Sequence, residues 1–212
     1  MRESDGVREA IAVERRRTAD LLESLTPAQL AVRSLCGEWT VREVAAHLLA
    51  AVEAPRGATL SAMMRSGFRV HRANALLAQS IGRLPVEEIA GGLRRNAENE
   101  FKAPIVGYPG QLTDLLVHGQ DIRRPLGLPH GLPLDSLRIA LDFLTTGRPV
   151  GFTKKSWLTG LRFTAGDLDW SFGDGPLVTG PAEALMMAMT GRRIVLGELD
   201  GPGVRVLANR LE

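Results

Sequence analysis

The sequence predicts a mainly α protein, with a helical bundle over residues 1–148 followed by a small α+β domain over 149–212. Three observations carry that reading. Apolar residues recur at helical spacing in successive segments up to about residue 146, alternation at period two replaces them after residue 160, and glycine or proline stands between most segments. Four long amphipathic helices joined by loops favour a bundle, because each must bury one stripe against its neighbours.

The first helix is expected from Glu3 to Leu25, where Ile11, Leu21, Leu22 and Leu25 sit among charges and Thr26-Pro27 ends the run. Ala28 to Leu35 is expected to hold a short turn. Thr40-Val-Arg-Glu43 is a capping box: the Thr hydroxyl accepts from the N–H three residues on, and Glu43 reaches back. The helix it starts buries Val41, Val44, Ala45, Leu48 and Leu49, with His47 beside them. Residues 57–83 suit one or two short helices interrupted near Gly67. Pro85 with Glu87 and Glu88 marks a first turn of a helix expected to reach about Glu100, weakened by Gly91-Gly92. Gly107 to Gly110 reads as a break, Gln111 to Arg124 as a helix, and Leu134 to Thr146 as another. Beyond a junction at 148–156, Leu161 to Ala165 and Leu168 to Phe172 alternate between turn residues and predict a short antiparallel sheet. Pro181 to Thr190 and Gly203 to Leu211 are expected helices.

Composition narrows the function classes. With 44% hydrophobic and 24% charged residues the chain reads as soluble and globular, and 26 basic against 24 acidic side chains leave +2, too little for a nucleic-acid footprint. Arg15-Arg16-Arg17 is expected to be a solvated face. No apolar run approaches the roughly 20 residues of a membrane span. The single Cys36 cannot form an internal disulfide, and Met1-Arg-Glu-Ser-Asp lacks the apolar core of a signal peptide, so the cytoplasm is the expected compartment. Cys36 is read as inert, since no second Cys or adjacent His accompanies it. Nothing in the sequence sets an oligomeric state.

Chemistry gathers in Asp114-Leu-Leu-Val-His118-Gly-Gln-Asp121. In a helix Asp114 and His118 stand one turn apart on one face, and Asp121 follows on the same stripe. Two metal-competent groups call for a third, and His47 is the candidate. A histidine beside an apolar face is equally a satisfied core residue. Asp121 is assigned a catalytic role, orienting His118 or accepting a proton, against a simple pairing with Arg124. Trp39 is read as packing at a helix entrance, with a cover over a cofactor as the sharper alternative. Arg123, Arg124 and Arg205 are expected to be solvated, and His71 and His130 receive no role.

Two motifs, Glu38-Trp39-Thr40-Val-Arg-Glu-Val-Ala-Ala-His47-Leu and Asp114-Leu-Leu-Val-His118-Gly-Gln-Asp121-Ile-Arg-Arg-Pro-Leu-Gly127, together with the tail from Gly160 to Gly175, resemble the mycothiol-dependent maleylpyruvate isomerase family of actinobacterial type. That family lies within the DinB-like superfamily of metal-binding four-helix bundles. The resemblance implies a divalent metal, usually zinc, on His47, Asp114 and His118, and mycothiol as thiol cofactor. It also implies small-molecule partners, a thiol and a small electrophile, for an isomerase or S-transferase. This chain has Asp114 where the isomerase pattern has Glu. A shorter acid must approach more closely or bind through water. Two other readings stay open: a thiol-independent metal hydrolase, and a non-catalytic small-molecule binder on the same bundle.

Overall fold

The structure is a computed structural model that describes residues 3–37, 39–67 and 69–211, with the side chains of residues 3, 4, 56, 70 and 71 outside the description. Glu38, first residue of the first motif, and the side chain of His71 therefore lie outside the described residues. The fold is mainly helical, with one small sheet near the C-terminus. Among the described residues no helix is long and apolar enough to cross a membrane. Contacts divide the chain into two compact units, and neither is one continuous stretch: Met1–Phe101 with Asp114–His130, and Lys102–Thr113 with Gly131–Glu212.

The first unit contains α1 (Glu3–Ser24), α2 (Pro27–Leu30), α3 (Val41–Glu53), α4 (Arg56–Arg65), α5 (Val70–Ile81), α6 (Val86–Arg95) and the part of α7 (Gly107–Arg123) from Asp114 onward. Helix α1 packs on α6, and α3 packs on both α5 and α6. Both N-termini flanking residues 31–39 are fixed by capping boxes, the expected Thr40–Glu43 pair and a second one from Thr26 and Gln29. Gly92, which looks like a weakness in the sequence, lies directly against α3. A Cβ there would lie 2.7 Å from Leu49 Cδ1 and 2.8 Å from Glu53 Oε2.

Two expectations fail here for one reason. Arg15 is not on a solvated face; it is 2% exposed, and its Nη1 donates to the carbonyls of Asn96, Ala97 and Asn99 at 2.8, 3.1 and 3.3 Å. Those acceptors follow the C-terminus of α6, where carbonyls have no intrahelical donor. The helix stops at Arg95 rather than near Glu100 because a guanidinium from α1 satisfies the chain that follows. The expected break at Gly107–Gly110 is instead the first turn of α7. Its entry turns through Ile105, at φ 69°, and Gly107, at φ 62°.

The second unit holds α8 (Leu134–Thr146), α9 (Lys155–Leu158), β1 (Arg162–Ala165), β2 (Ser171–Phe172), β3 (Leu177–Gly180), α10 (Ala182–Met189), a 3-10 turn (Arg193–Glu198) and α11 (Gly203–Arg210). Helix α8, which the sequence groups with the bundle, packs on α10 in this unit. The sheet is mixed rather than antiparallel. Its order is β2-β1-β3, with β2 antiparallel and β3 parallel to β1. Parallel pairing ordinarily needs a long crossover. Here residues 166–176 connect β1 to β3 with β2 between them, and 173–176 pass from one side of β1 to the other because Gly173 and Gly175 have positive φ and lie against backbone: a Cβ would stand 2.3 Å from Leu161 O and 2.4 Å from Gly160 O.

Candidate metal centre

Every residue of the candidate site belongs to the first unit. Helix α7 is buried all round from Leu115 to Arg123, as expected of a helix with no solvent face. Its polar stripe therefore points inward: Asp114, His118 and Asp121 recur at four- and three-residue steps. Helix α3 starts at the Thr40 cap, buries Val41, Val44, Ala45 and Leu48, and brings His47 to the same place.

The structure brings the three expected ligands together. One donor atom each from His47, Asp114 and His118 lies within 4.8 Å of the others. Asp114 Oδ2 stands 3.5 Å from His47 Nε2, and Oδ1 stands 3.5 Å from His118 Nε2. Two ligands held about 2.0–2.1 Å from a tetrahedral ion are roughly 3.3 Å apart, so these spacings suit a cation with little adjustment. The shorter acid reaches both imidazoles directly. Exposure of 12% at His47, 24% at Asp114 and 11% at His118 leaves the carboxylate as the most accessible of the three.

Asp121 is wholly buried, and its Oδ2 stands 2.9 Å from His118 Nδ1. A carboxylate there holds the proton on Nδ1 and leaves Nε2 facing Asp114, the arrangement that orients metal-binding histidines. Burial by itself lowers the proton affinity of His118. The Asp114 charge, the Asp121 hydrogen bond and the neighbouring Cys36 outweigh it, so the pKa is pushed up to about 10. The surroundings thus favour positive charge at this ring, which is what a cation site requires.

The loop before α3 closes the site. It is a compact turn: Ser34 N–H donates to Trp39 O at 2.9 Å, Trp39 N–H to Cys36 O at 3.2 Å, and Arg33 bridges to Thr40. Leu35 N–H donates to Asp121 O at 3.1 Å, which ties the loop to α7. Trp39 consequently lies over both imidazoles, its ring 5.2 Å from His47 and 6.4 Å from His118. Its ring thus stands against the candidate ligands as well as at the helix entrance. Cys36, read as inert, has its donor atom within 4.8 Å of those of His118 and Asp121. No local pattern announces this, because the histidine it meets is 82 positions away in the chain. Arg123 is another departure. It is 4% exposed, donates to Gly119 O at 3.2 Å, and burial lowers its pKa to about 10.

Residues 11–99 match the mycothiol maleylpyruvate isomerase N-terminal domain family. The matched segment covers less than half of the chain and contains Cys36, Trp39 and His47. Asp114, His118 and Asp121 lie beyond its end. Comparison with curated proteins and with solved structures gives no match.

Proposed function

We propose that His47, Asp114 and His118 hold a divalent cation, zinc by their nitrogen and oxygen donors, and that the protein works with a mycothiol-type thiol as an isomerase or S-transferase on a small electrophile. The observation that carries this is the convergence of the three donor atoms within 4.8 Å, from two helices distant in sequence. The isomerase-type domain over residues 11–99 supplies the thiol part of the reading.

Three protein ligands are the number typical of catalytic zinc, which keeps one position open. The cation would supply Lewis acidity that favours a thiolate over a thiol near neutral pH. The chain's own groups do the rest. Two neutral imidazoles and one carboxylate leave a dication with one uncompensated positive charge, so the open position favours an anionic sulfur over a neutral ligand. Asp121, expected among the catalytic residues, acts as a positioning residue: it is buried away from solvent and fixes the tautomer of His118. Trp39 shields the imidazoles from water on one side. A cytoplasmic setting, where small thiols stay reduced, fits this chemistry.

The test is elemental analysis of purified protein alongside His47→Ala and His118→Ala, followed by turnover assays with and without a low-molecular-weight thiol. Near-stoichiometric zinc in the wild type, lost in both variants, and turnover that requires thiol are expected. Equal metal in all three proteins refutes the ligand set. Turnover that ignores thiol replaces the transferase reading with a hydrolase.

A further inference from the structure

Cys36, His118 and Asp121 form a second cluster of donors that the proposed zinc site does not use in this combination. Their donor atoms lie within 4.8 Å of one another, with His118 Nδ1 and Asp121 Oδ2 only 2.9 Å apart. Cys36 is held in place by the turn that precedes α3: its N–H donates to Ser34 Oγ at 3.1 Å, its carbonyl accepts from Trp39, and the adjacent Leu35 N–H donates to the Asp121 carbonyl. The thiol is thus anchored by backbone bonds at a buried imidazole and a buried carboxylate.

We propose that these three residues are an alternative cation site, selective for thiophilic d10 divalent ions. Thiolate sulfur sits about 2.3 Å from such an ion and imidazole nitrogen about 2.0–2.1 Å, which separates the two donors by roughly 3.6 Å; from separations within 4.8 Å the cluster needs to contract by about 1.2 Å at most. The His118–Asp121 pair needs to open by only about half an ångström. Charge also favours the site. A thiolate and a carboxylate neutralise a dication completely, and burial of an ion is tolerable when its charge is matched. The His47 cluster, with one carboxylate, leaves one charge over. Soft sulfur then makes the Cys36 cluster the preferred seat for cadmium-like ions.

The two sites exclude each other because they share His118. A neutral imidazole has one lone pair, presented at Nε2 while Asp121 accepts from Nδ1–H. An ion at Nδ1 releases that proton and the Cys36 thiol proton to solvent, and the ring carries its remaining proton at Nε2 facing Asp114 Oδ1. Occupancy by a thiophilic ion therefore leaves no lone pair at Nε2 for an ion between His47 and Asp114.

Cadmium is the probe. The full chain, freed of small thiols and titrated with cadmium, is expected to develop an ultraviolet sulfur-to-cadmium charge-transfer band, assignable to Cys36 because it is the single cysteine. The band is expected to vanish in Cys36→Ser, to survive in His47→Ala, and to need at least tenfold more cadmium in His118→Ala. No band in the wild type overturns the proposal. So does a band in His118→Ala at wild-type affinity, which makes the thiol act alone, or a band lost in His47→Ala, which assigns Cys36 to the first site. If Cys36→Ser fails to fold by circular dichroism, the histidine variants still decide. Zinc content of His47→Ala tests the first site separately, so failure of one assignment leaves the other standing.

Discussion

Replacing Asp121 tests whether a residue that touches no solvent governs the proposed metal centre. The carboxylate is 0% exposed and its bond to His118 Nδ1 is 2.9 Å, so at the His47–Asp114–His118 centre it acts through the imidazole rather than as a ligand. Partners of this kind change metal affinity by about 10–100-fold, or roughly 1.4–2.7 kcal/mol. Asp121→Asn keeps an oxygen able to accept from Nδ1–H and loses only the charge, so the lower end, about tenfold, is expected. Asp121→Ala also frees the ring to turn and exposes Nδ1 as a buried unpaired donor, so about 100-fold is expected. Zinc affinity measured by competition against a chromophoric chelator gives the order wild type, Asn, Ala. Wild-type affinity in both variants, with His118→Ala losing zinc, would show that Asp121 does not position the ligand. Thermal unfolding of each variant separates this from loss of the fold.

The packing can be tested independently of any metal. Arg15→Met keeps the aliphatic stem but strands three carbonyl acceptors, one of them on a fully buried bond; a loss of about 2–4 kcal/mol is expected by chemical denaturation, and a loss under about 0.5 kcal/mol removes the helix-ending role given to the guanidinium. Gly92→Ala would stabilise an isolated helix by about 1 kcal/mol, yet the overlap with Leu49 is expected to reverse the sign, giving a lower melting temperature; a higher one contradicts the close approach of α3 and α6. In chelator-stripped protein the raised pKa of His118, about 10 against an unfolded value near 6.5, adds stability that is fully present below about pH 6.5 and is lost as pH rises through about 10. Unfolding midpoints measured across that window should fall with pH in the wild type and fall less in His118→Ala. Equal slopes in the two proteins refute the charge environment given to His118.

Much of the helical framework is legible in the chain itself. The Thr40–Glu43 box, the break near Gly67, the Pro85 start and the limits of α8 depend on contacts within a few residues, and local chemistry fixes them whatever the tertiary setting. Other features needed partners that the sequence does not name. The end of α6 depends on a guanidinium 80 residues earlier, and the mixed sheet on two glycines that let backbone pass against backbone.

The same division runs through the site. Spacing alone put Asp114, His118 and Asp121 on one stripe of α7, because 3.6 residues per turn leaves no other arrangement. That His47 faces this stripe, that Trp39 lies against it and that Cys36 comes close to His118 were decided by packing. Periodicity fixes which side chains share a face of one helix. Only the burial of many apolar surfaces at once determines which faces meet.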